Sequence, residues 1–240
     1  MRAGLRFLAL AFLGVALGHG PVHAASDDWE FMLAPYLWAS GIEGDVAVLG
    51  QPAEVDQSFS DIVDVLDGGV LLHFEAAHEK WTILSDLVFL DLGVGLETPS
   101  GELDYEQWIV EGAGAYGVRE NVDFLFGARY IRLDAELRFS GLALNPQRDR
   151  SWIDPFVGLR WATLGERWGF SLRGDIGGFG VESDLTWQLR ATGTYRFSDR
   201  VFLGFGFRVL DHDFEDGAGL SRFVYDLTLS GTEIGVGFNF

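Results

Sequence analysis

Val201-Phe202-Leu203-Gly204-Phe205-Gly206-Phe207-Arg208-Val209 places a bulky apolar side chain at every odd position, while the even positions are mostly glycine or charged. Successive side chains of a β-strand point to opposite faces, so this segment reads as a strand with one apolar wall and one polar wall. The pattern recurs upstream. Leu185, Trp187, Leu189, Ala191, Gly193, Tyr195 and Phe197 share one face, opposite Thr186, Gln188, Arg190, Thr192, Thr194 and Arg196. The same period predicts strands over 29–39, 69–79, 81–93, 103–117, 122–138, 151–163, 168–179, 184–197, 201–213 and 222–240.

Alternation alone also fits a soluble sandwich, and the connections decide between the two. They run long, short, long, short: a loop over 40–68, a turn at Glu79-Lys80, a loop over 94–102, a turn at Arg119-Glu120-Asn121, a loop over 139–150, a turn at Gly165-Glu166-Arg167, a loop over 180–183, a turn at Ser198-Asp199-Arg200 and a loop over 214–221. An even number of strands with short turns at one end and longer loops at the other is the pattern of a transmembrane antiparallel up-and-down β-barrel. The expected fold class is therefore all-β, a single barrel of about ten strands, with eight or twelve as the alternatives. Each short turn carries a base (Lys80, Arg119, Arg167, Arg200), whereas no Lys or Arg lies between Gly41 and Gly69. Trp81, Trp108, Trp161, Trp168 and Trp187 fall near predicted strand ends, where indoles form the aromatic girdles of barrels.

The amino-terminal segment reads as an address. Arg2 and Arg6 precede an apolar run over 5–17, and Val22-His23-Ala24 suits signal-peptidase cleavage. The run is too short to serve as a spanning helix. The expected organisation is a signal peptide over 1–24 and an outer-membrane barrel over 25–240. Composition narrows the function classes. The 240 residues are 48% hydrophobic, with 32 Gly and 20 Phe, which excludes a disordered chain. No Cys is present, which excludes disulfides, thiolate metal sites, thiol nucleophiles and a lipidated cysteine. A formal charge of −19 argues against a nucleic-acid partner.

With the apolar face outside, the lumen is expected to receive Glu75, Asp86, Glu111, Asp154 and Asp175 together with Arg129, Arg160, Arg173, Arg190, Arg196 and Arg208. These charges either pair across a filled interior or line a narrow path. Within the first long loop the period changes: Phe59, Ile62, Val63 and Leu66 are spaced as one face of a helix, and Ser58 and Asp61 have capping-box spacing. A short amphipathic helix at the rim or mouth is expected.

Catalytic patterns are weak. Asp211-His212-Asp213 invites comparison with the ten-stranded omptin surface proteases, but adjacent strand residues face opposite ways. His73 and Glu75 share the luminal face, and two ligands are too few for a metal. The acidic outer segments lack the calcium-loop pattern. No catalytic residue, metal or cofactor is expected.

Several motifs extend this reading. Pro35-Tyr36-Leu37-Trp38 followed by Gly41 and Gly44, Phe59-Ser60-Asp61-Ile62, and Gly174-Asp175-Ile176-Gly177-Gly178-Phe179-Gly180 running into Ser183-Asp184-Leu185-Thr186-Trp187 resemble a family of Gram-negative outer-membrane β-barrel proteins. The resemblance spans the mature chain and implies a barrel in the outer membrane, with no substrate or catalytic residue attached. Ile234, Val236, Phe238 and Phe240 end the chain on an aromatic that resembles the signal read by the barrel assembly machinery. The expected role is a structural or narrow porin-like barrel, with a loop-mediated surface binder as the alternative and an omptin-like hydrolase behind it. Its expected partners are outer-membrane lipid, lipopolysaccharide and the assembly machinery.

Overall fold

The computed structural model describes residues 28–48, 51–97, 100–139 and 147–240, and the expected signal peptide lies outside them. Eleven antiparallel strands follow one another: β1 (Glu30–Val48), β2 (Gln51–Gln57), β3 (Leu66–His78), β4 (Trp81–Glu97), β5 (Ser100–Arg119), β6 (Val122–Phe139), β7 (Gln147–Leu164), β8 (Trp168–Gly177), β9 (Leu185–Arg196), β10 (Val201–Asp216) and β11 (Phe223–Asn239). Each of β3 to β11 pairs with its sequence neighbour, and β11 returns to pair with β1, so ten strands close an up-and-down barrel while β2 pairs with β1 alone. Closure removes the exposed sheet edges that an open sheet of this size would carry.

The odd positions of 201–209 point outward as the alternation requires. Phe205 and Phe207 are exposed, while Arg208 and Leu210 are buried in the lumen. Trp81, Trp161, Trp168 and Trp187 are exposed on the outer wall, and Trp108 lies against Phe89 with ring centroids 4.4 Å apart. At the short-turn end the first and last wall strands meet. Phe31 and Phe240 exchange two backbone hydrogen bonds of 2.9 Å, and their rings stack at 5.9 Å.

Five expected connections are corrected. The loop over 40–68 is largely structured, because β1 runs on to Val48 and folds back as β2. Glu43 and Asp45 disguise this stretch as a loop, but they lie on the outward face while Ile42 and Val46 pack on the luminal core. Instead of a loop over 94–102, β4 and β5 remain paired as far as Glu97 and Ser100. The loops over 139–150 and 214–221 shorten in the same way, since β7 begins at Gln147 and β10 continues to Asp216. The loop over 180–183 instead lengthens, because Gly178, Phe179 and Gly180 take left-handed φ values of 80°, 54° and 68° and end β8 at Gly177.

The expected helix is α1 (Phe59–Asp64), and its capping box forms as the spacing required. The Ser58 hydroxyl and backbone N–H both donate to the Asp61 carboxylate, holding its pKa below the ordinary range. Leu66 is not part of the helical face. It is captured by β3 through its pairing with Leu92. Of the four expected face residues only Ile62 is buried, at 8% exposure, against 44% for Phe59 and 43% for Val63.

Two glycines test how closely the wall is packed. A Cβ on Gly231 would stand 1.9 Å from the Ala39 carbonyl oxygen, whereas one on Gly112 would meet nothing within 4 Å. Gly231→Ala is expected to destabilise the barrel by about 1–3 kcal/mol. Gly112→Ala should leave the unfolding free energy of the refolded protein, read from urea titration, within about 0.5 kcal/mol of the parent, as surface changes usually do.

Candidate functional site

The lumen is built in three levels. Toward the long-loop end Trp38, Val88, Ile109, Ile131, Leu133, Trp152, Leu210, Phe214 and Leu229 pack into an apolar core. Toward the short-turn end a cavity of about 280 Å³ is bordered by Glu30, Asn121, Thr192, Thr194 and Arg196, among others. Between the two lies a layer of charged side chains from β3 to β11, joined by the Tyr36 hydroxyl of β1.

Asp86 of β4 is the hub of this layer. It accepts hydrogen bonds from the Tyr36 hydroxyl of β1 at 2.7 Å, from Arg208 of β10 at 3.0 Å and from Arg190 of β9 at 3.4 Å. His73 of β3 stands between two carboxylates, with Nδ1 3.0 Å from Asp86 and Nε2 3.0 Å from Glu75. Arg160 of β7 donates to Glu75 at 2.9 Å and, through Nε, to Asp123 of β6 at 2.8 Å. Arg190 also donates to Glu233 of β11 at 2.7 Å.

A second knot lies beside the first. Glu111 of β5 accepts from Arg173 of β8 at 2.6 Å and from Arg129 of β6 at 2.9 Å. Both arginines also reach Asp175, Arg129 at 3.0 Å and Arg173 at 2.9 Å. Gln188 links the knots, donating to Asp175 at 3.1 Å and accepting from Arg208 at 2.6 Å. Arg129 is fully buried and Arg208 is 1% exposed, so the lumen is filled at this level.

All the charged residues expected in the lumen belong to this layer except Asp154 and Arg196. Asp154 lies inside but serves the β8–β9 loop, accepting from the Ser183 N–H at 3.0 Å, the Ser183 hydroxyl at 2.7 Å and Trp152 Nε1 at 3.0 Å. That staple accounts for the glycine-rich motif. A Cβ on Gly177 would come within 2.5 Å of the Pro155 carbonyl, so only glycine lets the loop approach β7. Arg196 borders the cavity instead of the layer. Tyr36, Asp123, Gln188 and Glu233 were not among the expected site residues. Strand parity alone would have found Gln188 and Glu233, which share faces with Arg190 and Leu229.

The remaining candidates take no part in the ion pairs of the layer. His212 is fully buried, with Nδ1 3.2 Å from the Thr186 hydroxyl, while Asp211 accepts from Thr228 on the opposite face of β10. Among the described residues, no group of three or more His, Asp or Glu is placed to hold a metal ion. Phe240 is exposed at the short-turn end.

No family model and no curated protein matches the chain in sequence. Solved barrels resemble it at low identity. The outer membrane protease OmpT from Escherichia coli aligns over 91% of this chain and 99% of its own, at 8% identity and a TM-score of 0.47. Ail, the attachment invasion locus protein of Yersinia pestis, aligns over 88% and 98% at 9% identity and a TM-score of 0.44. A Pseudomonas aeruginosa FadL homologue aligns over 89% and 90% at 9% identity and a TM-score of 0.40.

Removing one partner of a buried ion pair strands the other without compensation. Asp86→Ala leaves Arg208 with Gln188 and the Tyr36 hydroxyl, and is expected to cost about 3–5 kcal/mol. Urea titration of the refolded protein, followed by the loss of heat-modifiable gel migration, reads this out.

Proposed function

We propose that the chain is an outer-membrane β-barrel with a structural role, exported by its amino-terminal segment and closed to ion flow at rest. The observation that carries this reading is the inverted polarity of the wall: guanidinium groups are buried inside while Phe and Trp side chains are exposed outside. On β4, β6 and β10 the outward apolar stretch covers 81–89, 122–130 and 201–209, matching the roughly 9–11 residues that a tilted strand needs to cross a bilayer. Above the band the outward positions turn acidic, with Glu43, Asp91, Glu106, Asp134, Asp149, Asp211 and Asp226 around the circumference. Such a ring suits a headgroup region whose anionic lipids are bridged by divalent cations.

Closure follows from the charged layer and the apolar core above it, which together leave the cavity open toward the short-turn end alone. A catalytic role has no support at Asp211-His212-Asp213, since His212 is sealed in the lumen with its neighbours on the other face. Phe240 is read as the assembly signal, exposed where an assembly factor would meet the last strand.

In planar bilayers the purified protein should be electrically silent, and in cells it should be recovered in the outer membrane with heat-modifiable migration. Steady conductance would overturn the closed lumen, and recovery as a soluble periplasmic protein would overturn the location. Phe205→Arg should cost about 2–4 kcal/mol by directing a charge into hydrocarbon, whereas Thr192→Arg, facing the cavity, should be far milder. Equal losses from the two, measured by urea-dependent unfolding in liposomes, would mean that the outward face is not lipid-exposed.

A further inference from the structure

The wall has one discontinuity. β1 and β3 pair only between Glu30–Pro35 and Leu72–Ala77, six rungs, whereas β4 and β5 pair from Trp81 to Glu97. Above that level residues 36–41 of β1 and 66–71 of β3 have no rung between them. β3 stays with β4 and carries a bulge between Leu66 and Gly68, and the upper part of β1 takes β2 as its partner. The segment that links β2 to β3 is α1, which packs against β1 and β2 and buries Ile62 alone.

The height of this gap is fixed by the register. Gly68 lies opposite Asp91 and Glu43 opposite Thr228, so the acidic ring crosses β3 at Gly68 and β1 just above Gly41, and the part of the gap between 36–41 and 69–71 lies at the outer edge of the apolar band. Outward-facing Leu37, at 66% exposure, and Val70, at 52%, flank it. Behind it stand Tyr36, Trp38 and Leu71, which belong to the apolar luminal core. Asp67, at the outer edge, is the one charged residue within 36–41 and 66–71.

We propose that this gap is a lateral port, latched by Ile62 of α1, through which an uncharged alkyl chain enters the apolar upper lumen from the outer leaflet. The proposal rests on the membrane reading above. Three observations select the occupant. The port opens between the outward Leu37 and Val70 and leads to Trp38, Val88, Ile109 and Leu210, side chains that offer a charged head no ionic partner. The rim bears Glu43, Glu54, Asp56, Asp61, Asp64 and Asp67 without a base between Gly41 and Gly69, which repels an anionic head and disfavours a fatty acid. The charged layer below stops the chain, so the site binds a molecule and does not pass it through.

The test uses the full protein in phosphatidylcholine liposomes, irradiated with a long-chain alcohol bearing an alkyl diazirine, with adducts mapped residue by residue. Labelling is expected on the outward Phe205 and Phe207 and also on the inward Trp38, Leu71 and Val88. The corresponding carboxylic acid should label the inward set several-fold less while labelling Phe205 equally. Ile62→Ser should raise inward labelling several-fold, and Ile62→Leu should restore the parental value, with heat-modifiable migration confirming that both variants fold. Labelled Phe205 and Phe207 with unlabelled Trp38, Leu71 and Val88 in both parent and Ile62→Ser would overturn the port and leave the membrane reading intact. Absence of label at Phe205 and Phe207 would overturn the membrane reading and the port together. Equal inward labelling by alcohol and acid would overturn the selection for an uncharged chain.

Discussion

The rest of the structure depends on the neutralisation of five arginines inside the barrel. A guanidinium cannot be deprotonated in a protein, and moving it out of water costs several kcal/mol unless carboxylates take over its hydration. Arg129, Arg160, Arg173, Arg190 and Arg208 each meet at least one carboxylate within 3.0 Å, and the acids come from strands distributed around the wall. The layer therefore acts on the barrel as a whole. A strand slipped by one residue would turn its arginine outward and a Phe or Leu inward, as Arg208 and Phe207 would exchange on β10. In a wall held by backbone hydrogen bonds, which are indifferent to side-chain identity, these ion pairs supply a register that the ladder alone does not specify.

The transition from charge to hydrocarbon within the lumen is made by aromatic rings. Arg208 lies over Trp38 at 4.6 Å and Arg190 over Tyr36 at 5.4 Å, while Arg129 and Arg173 approach the Phe156 ring at 5.2 and 5.3 Å. A ring face presents partial negative charge to the cation and an apolar body to its other neighbours. Trp38 and Trp152 thus occupy the interior for a different reason from the exposed tryptophans. The outer indoles face the surroundings of the barrel, whereas Trp38 caps a guanidinium and Trp152 donates to Asp154 while stacking on Phe214 at 4.2 Å.

The strands were legible because period-two alternation survives wherever a wall separates two environments, as in 185–197 and 201–209. It became illegible where the outward environment changes from apolar to aqueous. Glu43, Asp45 and Glu215 continue the alternation in geometry but not in hydropathy, so the upper parts of β1 and β10 looked like loops. Inward charges such as Glu111 and Arg173 could be assigned by parity. Their pairing could not, because it joins strands separated by up to 122 positions, as between Asp86 and Arg208. The capping box at Ser58 and Asp61 gave the start of α1 correctly, while its end was decided by the pairing of Leu66 with Leu92 on a distant strand. Asp154 shows the converse limit. Its residue type marks it as a charge for the lumen, and only the approach of Ser183 reveals a loop staple.

The position of the wall break relative to these layers is itself constrained. β1 and β3 remain paired over the level of His73 and Glu75, and they part only at Tyr36 and Leu71, immediately above the charged layer. Had the strands separated one turn of the pleat lower, His73 and its partner Asp86 would have faced the gap, and in hydrocarbon a polar pair exposed on one side loses the hydrogen bonds that compensate its desolvation. The luminal side chains that border the break, Trp38 and Leu71, are apolar, so separation exposes them to surroundings of their own polarity at little cost. The backbone of β1 is satisfied on its other side by β11, and from Ile42 upward by β2 as well. The unpaired stretch is thereby confined to 36–41 of β1, the strand against which α1 packs. The charged layer thus sets the lowest point at which the wall can open, and the β1–β2 hairpin sets the highest.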